Sequence, residues 1–397
     1  MEKSFSGKKI LLCLCGGIAV YKCVELASLL VKEGATVKTV MTRSAMEFVT
    51  PLTFQSITKE TVSHKLFSPE APIEHISLSD WADIIVIVPA TANVISKIAN
   101  GIADDLLTTT VMASKCPKLI VPAMNVKMYE NPILQENIEK LKRFDFKILE
   151  PETGHLACGY EGKGRMPEVD EILYAIKTYM FHELDLKGLS MLITAGASIE
   201  KIDPMRYITN VSSGKMGLSL ARAAFLRGAN VTLIYSSVSE KLPYFTNNIK
   251  ALSAEVMYEQ VMEKFNGFDI VISCAAVADF TPKYPSLEKI KKAGDIALEL
   301  ARTKDILYEL GSKKDKQFLI GFAAESENLF ENATKKLEKK NLDMIVANDL
   351  KTAGKDYSEI MILKKGIKEK DLMIKHQGDK FYLAHKILDE YKNAKTT

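Results

Sequence analysis

The sequence predicts an α/β protein made of two three-layer domains, and three observations carry that prediction. Short apolar runs without alternation recur in both halves, as expected of strands buried on both faces of a sheet. Between them stand stretches with helical spacing, several of which stop at a glycine. The chain has 397 residues, 47% hydrophobic and 26% charged, which is ordinary globular composition and enough length for two full cores.

The first half opens with a strand over Lys9–Leu14, a turn at Gly16-Gly17, a helix over Ile18–Lys32, a stop at Gly34 and a strand over Thr36–Met41. Further buried strands are expected at Ile84–Val88 and Leu119–Val121. Each ends in a proline and a small polar loop, Pro89-Ala90-Thr91-Ala92-Asn93 and Pro122-Ala123-Met124-Asn125. Ligands of such folds bind beyond the carboxyl ends of the strands, where these loops lie. From Pro151 to Pro167 the chain is Gly-rich, polar and without periodicity, which suggests a mobile lid or binding loop. A helix from Val169 to about Leu184 closes the domain, so the division is placed at 1–186 and 187–397.

The second half is organised around Gly188–Tyr235, a strand, a loop rich in Gly, Ser and Thr, a helix from Lys215 to near Gly228, and a parallel strand over Val231–Tyr235. Backbone N–H groups and the hydroxyls of Ser212 and Ser213 meet Gly214 and Lys215 at this helix N-terminus, an arrangement that favours an anion. Neither G-x-G-x-x-G nor G-x-x-x-x-G-K-[ST] is satisfied, so a phosphate site and a turn that merely packs well both stay open. A third strand, Phe268–Ala275, runs into Ala276-Val277-Ala278-Asp279, and a lysine-bearing loop follows between Pro282 and Gly294. Then come a strand at Phe318–Ala323, a charged helix at Asn328–Lys340, a strand at Met344–Ala347, a hairpin within Glu359–His376 and a helix at His385–Tyr391.

A formal net charge of +3 gives no reason to expect nucleic acid. Six cysteines form no C-x-x-C pair and read as thiols of a reducing compartment. The apolar run after Lys8-Lys9 breaks at Gly16-Gly17 and continues with Lys22, Glu25 and Lys32, unlike a signal peptide, and no uncharged run reaches membrane-span length. A cytoplasmic protein is expected.

Several residues offer chemistry. Pro89–Asn93 and Gly101–Asp105 flank one short helix with hydroxyl, amide and carboxylate groups, with helix capping as the alternative. His75, with an ordinary pKa of about 6.5, suits acid–base work near neutrality or a structural place. Cys158 stands in the polar loop, and an ordinary pKa of about 8.5 leaves it a thiol suited to donating a proton. Asp279 could hold a metal, a nucleotide hydroxyl or a helix cap, and Lys289 could neutralise a triphosphate or stand solvated.

Taken in order, Gly16–Lys22, Pro89–Asn93, Ala103-Asp104-Asp105, Pro122–Asn125, Ala157-Cys158-Gly159, Gly164-Arg165-Met166, Ile202-Asp203-Pro204, Ile208-Thr209-Asn210, Ser212–Gly217, Ala275–Asp279, Lys289–Lys292 and Gly321–Glu325 form a specific set. That set resembles the bacterial bifunctional flavoproteins of coenzyme A biosynthesis, phosphopantothenoylcysteine decarboxylase fused to phosphopantothenate-cysteine ligase. The resemblance implies an N-terminal flavoprotein-type Rossmann-like domain that binds FMN. His75 would be its catalytic base, Asn125 would hold the substrate carboxylate and Cys158 would protonate the enethiol, with Gly17, Thr42, Thr91, Asn93 and Asp104 around flavin and phosphate. It implies a C-terminal Rossmann-like ligase domain that uses CTP and Mg²⁺, with the metal ligands left unknown. There Lys289 would meet the triphosphate, Asn210 the acyl-cytidylate, and Asp279 and Phe322 the cytidine. Ser273, Ala275, Asp305 and the lid lysines Lys336 and Lys340 complete the nucleotide set, and Ser212, Ser213, Gly214 and Lys215 would take the phosphate of phosphopantothenate.

The same resemblance implies 4′-phosphopantothenate, cysteine and CTP as partners. It also implies a homo-oligomer, a dodecamer built from trimers with flavin sites between subunits and paired ligase domains. The chain departs from the family pattern at Tyr160, at Ala197-Ser198, at Thr281 and at Lys304. Two other classes stay open: a flavoprotein of this fold with other chemistry, such as flavin prenylation or peptide cysteine decarboxylation, and a non-catalytic nucleotide-binding protein.

Overall fold

A computed structural model describes residues 4–67, 69, 73–155, 159, 161–291, 297–325, 329–349, 357–366 and 373–396. The chain forms two compact units, Met1–Glu183 and Leu184–Thr397. The division falls there because Leu186 donates its amide to Arg227, and Asp185 accepts from the Arg227 and Lys392 side chains. The segment after Glu183 is thus tied to the second unit.

The first unit is built on strands β1 (Lys9–Leu14), β2 (Thr36–Met41), β3 (Val62–Ser63), β4 (Ile84–Ala90), β5 (Lys118–Pro122) and β6 (Lys147–Ile148). They pair in parallel in the order β3-β2-β1-β4-β5-β6. Between and after them run helices α1 (Lys22–Lys32), α2 (Arg43–Met46), α3 (Pro51–Thr58), α4 (Glu74–Trp81), α5 (Ala92–Ala99), α6 (Leu106–Ala113), α7 (Val126–Tyr129), α8 (Pro132–Arg143) and α9 (Val169–Phe181). Leu11, Cys13, Ile85, Ile87 and Ile120 of the sheet share one core with Val94, Ile95, Leu107, Leu134 and Ile138 of the helices. The alternate residues Ile10, Leu12, Leu14, Val86 and Val88 point the other way and are also buried, which is why the strands show no alternation. Each such side chain stabilises by about 1.5–3 kcal/mol.

The stretch expected to be an unpatterned loop holds an antiparallel ribbon, β7 (Glu152–His155) with β8 (Glu161–Arg165). Its strands are glycine-bearing and half exposed, so neither apolar alternation nor β-branching marks them. Likewise the expected Ile18 helix begins as a 3₁₀ turn, Ile18–Tyr21, before α1.

The second unit repeats the plan with β9 (Ser190–Ala195), β10 (Ile199–Lys201), β11 (Tyr207–Thr209), α10 (Lys215–Leu226), β12 (Asn230–Tyr235), β13 (Asn247–Lys250), α11 (Ala254–Lys264), β14 (Ile270–Ser273), β15 (Phe280–Pro282), β16 (Leu300–Arg302), α12 (Ile306–Lys313), β17 (Phe318–Glu325), α13 (Leu329–Lys339), β18 (Met344–Asp349), β19 (Tyr357–Lys364), β20 (Ile374–Asp379) and α14 (Lys380–Thr396). The main sheet runs β13-β12-β9-β14-β17-β18-β19-β20, parallel up to β18 and antiparallel over the last two pairings. Two ribbons, β10 with β11 and β15 with β16, stand outside it. The first of these fills the stretch that the sequence presents as a Gly-, Ser- and Thr-rich loop.

In both sheets the strand order reverses at one point, between β1 and β4 and between β9 and β14. In open α/β sheets ligands bind in a crevice beyond the carboxyl edge at such a point.

Candidate functional site

Each unit carries several of its predicted polar residues on the loops at the carboxyl ends of its strands. In the first unit the β1 strand leads into Gly16 and Gly17. A Cβ on Gly16 would lie 2.3 Å from the Ser44 Cβ, so this glycine lets the loop press against α2. A Cβ on Gly17 would meet nothing within 4 Å, so the crevice is open beside it. Thr42 caps α2, its Oγ1 accepting from the Ala45 amide at 3.2 Å, and Thr91 caps α5 by accepting from Val94 at 3.4 Å. Both hydroxyls act there as acceptors, which leaves each O–H to donate to an anion. Burial pushes the Cys15 thiol up to about 12 despite a hydrogen bond from the Thr91 backbone, so the loops after β1 and β4 meet at its sulfur.

Asn125 caps α7 beyond β5, its Oδ1 accepting from Lys127 at 2.9 Å. The β8 strand lies directly on this loop. Gly164 accepts the Met124 amide at 3.0 Å, and a Cβ on Gly164 would stand 2.3 Å from the Met124 carbonyl oxygen. Gly162 is seated against Val126 in the same way. The connection between β7 and β8 contains Cys158 and Tyr160, which lie outside the described residues.

Asn93 is exposed at the start of α5, and Asp104 is paired with Lys97 at 2.7 Å. The Lys97 hydrogen bond, opposed by slight desolvation, holds the Asp104 carboxyl below its usual range. His75 lies in the first turn of α4, which packs against α6, the helix that follows Asp104 and Asp105. Glu74 beside it accepts from the Ser63 hydroxyl at the end of β3, which sets this turn at the sheet edge. The His75 Nδ1 is buried and has no hydrogen-bond partner among the described residues.

In the second unit the loops after β9 and β14 are stitched together. Thr194 Oγ1 accepts from the Cys274 and Ala275 amides at 3.1 Å, Ala276 donates to the Gly196 carbonyl at 2.8 Å, and Ala278 donates to Ser198 Oγ at 3.0 Å. Ser273 ends β14 between Thr194 and Gly321. Asn210 lies over this seam, its amide donating to the Ala276 and Val277 carbonyls at 3.3 Å. Among the described residues its Oδ1 accepts nothing, so the side chain is oriented with one polar atom to spare.

Gly214 adopts a left-handed φ of 74° before α10, and a Cβ there would lie 2.6 Å from Val238 Cγ1. At Gly217 a Cβ would lie 2.5 Å from the Ala195 Cβ, so this glycine brings the helix onto the strand. Both glycines are therefore required for packing whatever binds at the turn. Ser213 accepts from Ser239, and Lys215 pairs with Glu240 at 3.7 Å.

Asp305 caps α12 and pairs with Lys340 at 2.8 Å, while Lys336 donates to the Phe322 carbonyl at 3.2 Å. Burial would raise the Asp305 carboxyl, but the Lys340 hydrogen bond, the Tyr308 amide and both lysine charges hold it low. Four predicted residues are thereby gathered on one side of the crevice. Asp279 and Lys289 are exposed. Among the described residues no group of three His, Cys, Asp or Glu could hold a metal ion, and no helix is long and apolar enough to cross a membrane.

Residues 1–181 match the family model described as flavoprotein, and residues 186–394 match that of the DNA/pantothenate metabolism flavoprotein C-terminal domain. The coenzyme A biosynthesis bifunctional protein CoaBC of Bacillus subtilis is 50% identical over 355 residues, 88% of this chain and 87% of that protein. Its namesake from Borreliella burgdorferi is 45% identical over 368 residues, 91% of this chain and 94% of that protein. This chain belongs to the bifunctional coenzyme A biosynthesis family. A solved C-terminal domain of a CoaBC protein is 40% identical, covering 53% of this chain and 96% of that one at a TM-score of 0.46.

Within this bifunctional family the chain also holds residues to which the sequence assigns no role. Gly162 and Gly164 seat the ribbon on the Asn125 loop, and Ser198 ties the β9 and β14 loops. Asp203 and Arg206 shape the turn between β10 and β11, for which the Asp-Pro dipeptide is the available sequence signal.

Proposed function

We propose that the first unit is an FMN-dependent phosphopantothenoylcysteine decarboxylase and the second a CTP-dependent phosphopantothenate-cysteine ligase. The reading is supported chiefly by membership of the bifunctional family over 88% of the chain, with two crevices of different polar character at the two switch points. The first crevice fits a flavin phosphate: there is open space beside Gly17, and the O–H groups of Thr42 and Thr91 donate to nothing among the described residues, with Asn93 and Asp104 assigned to the flavin surroundings. FMN, when bound, supplies a two-electron oxidant for the cysteinyl moiety and returns the pair after carbon dioxide leaves.

In this reading His75 takes the proton that oxidation releases, and its unpartnered buried ring nitrogen suits that task. Asn125 holds the departing carboxylate, and Cys158 gives a proton to the enethiol. A homo-oligomer, a dodecamer built from trimers with flavin sites between subunits, is part of the same reading and rests on the family resemblance.

In the second unit the carboxylate of 4′-phosphopantothenate attacks the α-phosphate of CTP, pyrophosphate leaves, and the cysteine amine then displaces CMP. Two polyanions must approach each other, so Lys289, Lys336 and Lys340 serve to neutralise charge. Mg²⁺ would arrive on the triphosphate, in keeping with its habit of binding through substrate oxygens and one or two carboxylates. Asp279, Phe322, Ser273, Ala275 and Asp305 surround the nucleotide, Ser212 to Lys215 the substrate phosphate, and Asn210 the acyl-cytidylate. A cytoplasmic protein is part of the same reading.

The test is product mass spectrometry with purified protein, FMN, 4′-phosphopantothenate, cysteine, CTP and Mg²⁺. Formation of 4′-phosphopantetheine is expected. Accumulated 4′-phosphopantothenoylcysteine would reject the decarboxylase half, and no product at all would reject the ligase half, the decarboxylase half then being tested on supplied 4′-phosphopantothenoylcysteine.

A further inference from the structure

Asp203 divides its carboxylate between two tasks. Oδ1 accepts the Met205 amide at 2.7 Å and the Arg206 amide at 2.8 Å, which shapes the turn joining β10 to β11. Oδ2 accepts from Arg206 Nη1 at 2.6 Å and from the Ile290 amide at 3.2 Å, 87 residues further along the chain. The same Arg206 Nη1 donates to the Ile290 carbonyl at 3.2 Å. Both backbone groups of Ile290 are therefore held by one ion pair. A second tie, the Ser286 amide on the Ile202 carbonyl at 2.8 Å, fixes the start of the same loop.

The Asp203 side chain is fully buried, which would raise its pKa, yet the Met205, Ile290 and Arg206 amides and the Arg206 charge hold it below the usual carboxylate range. Buried carboxylates are costly unless fully hydrogen-bonded, and this one has four donors. What the arrangement fixes is the residue before Ile290. Lys289 is exposed and, among the described residues, makes no ion pair, whereas Lys283 and Lys304 nearby are paired with Glu299 and Glu255.

We infer that Asp203, with Arg206, is the positioning residue of the ligase half, holding the backbone of Ile290 so that the Lys289 ammonium is presented to the triphosphate. This rests on the role proposed above for Lys289. A lysine on an unanchored loop would lose rotamer and backbone freedom on each encounter with nucleotide, and prior anchoring removes the backbone share of that cost. Asp203→Asn separates the two tasks: the amide oxygen can still shape the turn, but the NH₂ that replaces Oδ2 cannot accept from Ile290 or Arg206.

The experiment follows pyrophosphate release from CTP and 4′-phosphopantothenate by the full-length protein. Asp203→Asn is expected to lower kcat about tenfold or more while KM for 4′-phosphopantothenate is kept. In a Lys289→Gln background the same substitution should lower the remaining rate no further, because its effect passes through Lys289. Ile290→Pro, which deletes the clamped N–H from the loop side, should show the same loss and the same dependence on Lys289, and it carries the test should Asp203→Asn not fold. Rates near wild type, or losses that multiply with Lys289→Gln, would overturn the inference. Wild-type protein that released no pyrophosphate would instead reject the ligase reading itself.

Discussion

Arg227 is a cation with only 1% of its side chain exposed. It is held by Asp185, at 2.7 and 2.9 Å, by Asp389 at 2.8 Å and by the His385 carbonyl at 3.3 Å. Lys392 closes on Asp185 from the other side at 2.6 Å. Burial would raise the Asp185 carboxyl, but the hydrogen bonds and charges of Arg227 and Lys392 bring it down to about 2. The folded value lies below the ordinary value of about 3.9, so its stabilising contribution is full above about pH 4 and fades as pH falls toward 2. Asp185→Asn should accordingly lower the urea midpoint of the second unit at pH 7, with the gap from wild type narrowing between pH 4 and pH 2. A gap independent of pH would show that the ion pair is not its source. Arg227→Ala leaves two carboxylates without their buried partner, and a loss of about 3 kcal/mol in unfolding free energy is expected.

At the level of elements, the β7–β8 ribbon depends on two missing side chains. A Cβ at Gly164 would stand 2.3 Å from a backbone oxygen, which cannot rotate away as a side chain does. Gly164→Ala should therefore shift the ribbon off the Asn125 loop and reduce decarboxylation at least about tenfold, with pyrophosphate release unchanged. Equal loss of both activities would point to general destabilisation instead. That ribbon also marks the limit of what the sequence discloses. Strands buried on both faces, such as β1, β2 and β9, are legible to within a residue because desolvation alone selects their apolar runs. The ribbons β7–β8 and β10–β11 are half exposed and owe their form to contacts with distant loops, so no local pattern announces them. Capping residues such as Thr42, Thr91 and Asn125 are visible as small polar groups after strands, yet only the fold shows which crevice they line. Which of the predicted residues come together is set by strand order and helix packing, to which residue spacing is blind.

On the scale of the whole molecule, each unit has its own core. Leu11, Ile85 and Ile120 anchor one and Leu192, Val271 and Leu319 the other, so damage to one catalytic crevice leaves the packing of the second intact. Local electrostatics keep the two chemistries equally separate, since the lysines assigned to CTP lie wholly in the second unit and the groups assigned to flavin wholly in the first. Two variants with opposite lesions follow from this. Lys289→Gln protein should release pyrophosphate at only a small fraction of the wild-type rate yet decarboxylate supplied 4′-phosphopantothenoylcysteine at the wild-type rate. Cys158→Ser protein should ligate normally and stop at the enethiol. If the ligation product is released to solvent, equal amounts of the two variants should together convert 4′-phosphopantothenate, cysteine and CTP into 4′-phosphopantetheine, after a lag that shortens as protein concentration rises. Mass spectrometry over a time course distinguishes the outcomes: a lag that scales with concentration is expected for free transfer, while no product from the mixture, each variant retaining its own half-reaction, would mean that the intermediate does not leave the protein that makes it.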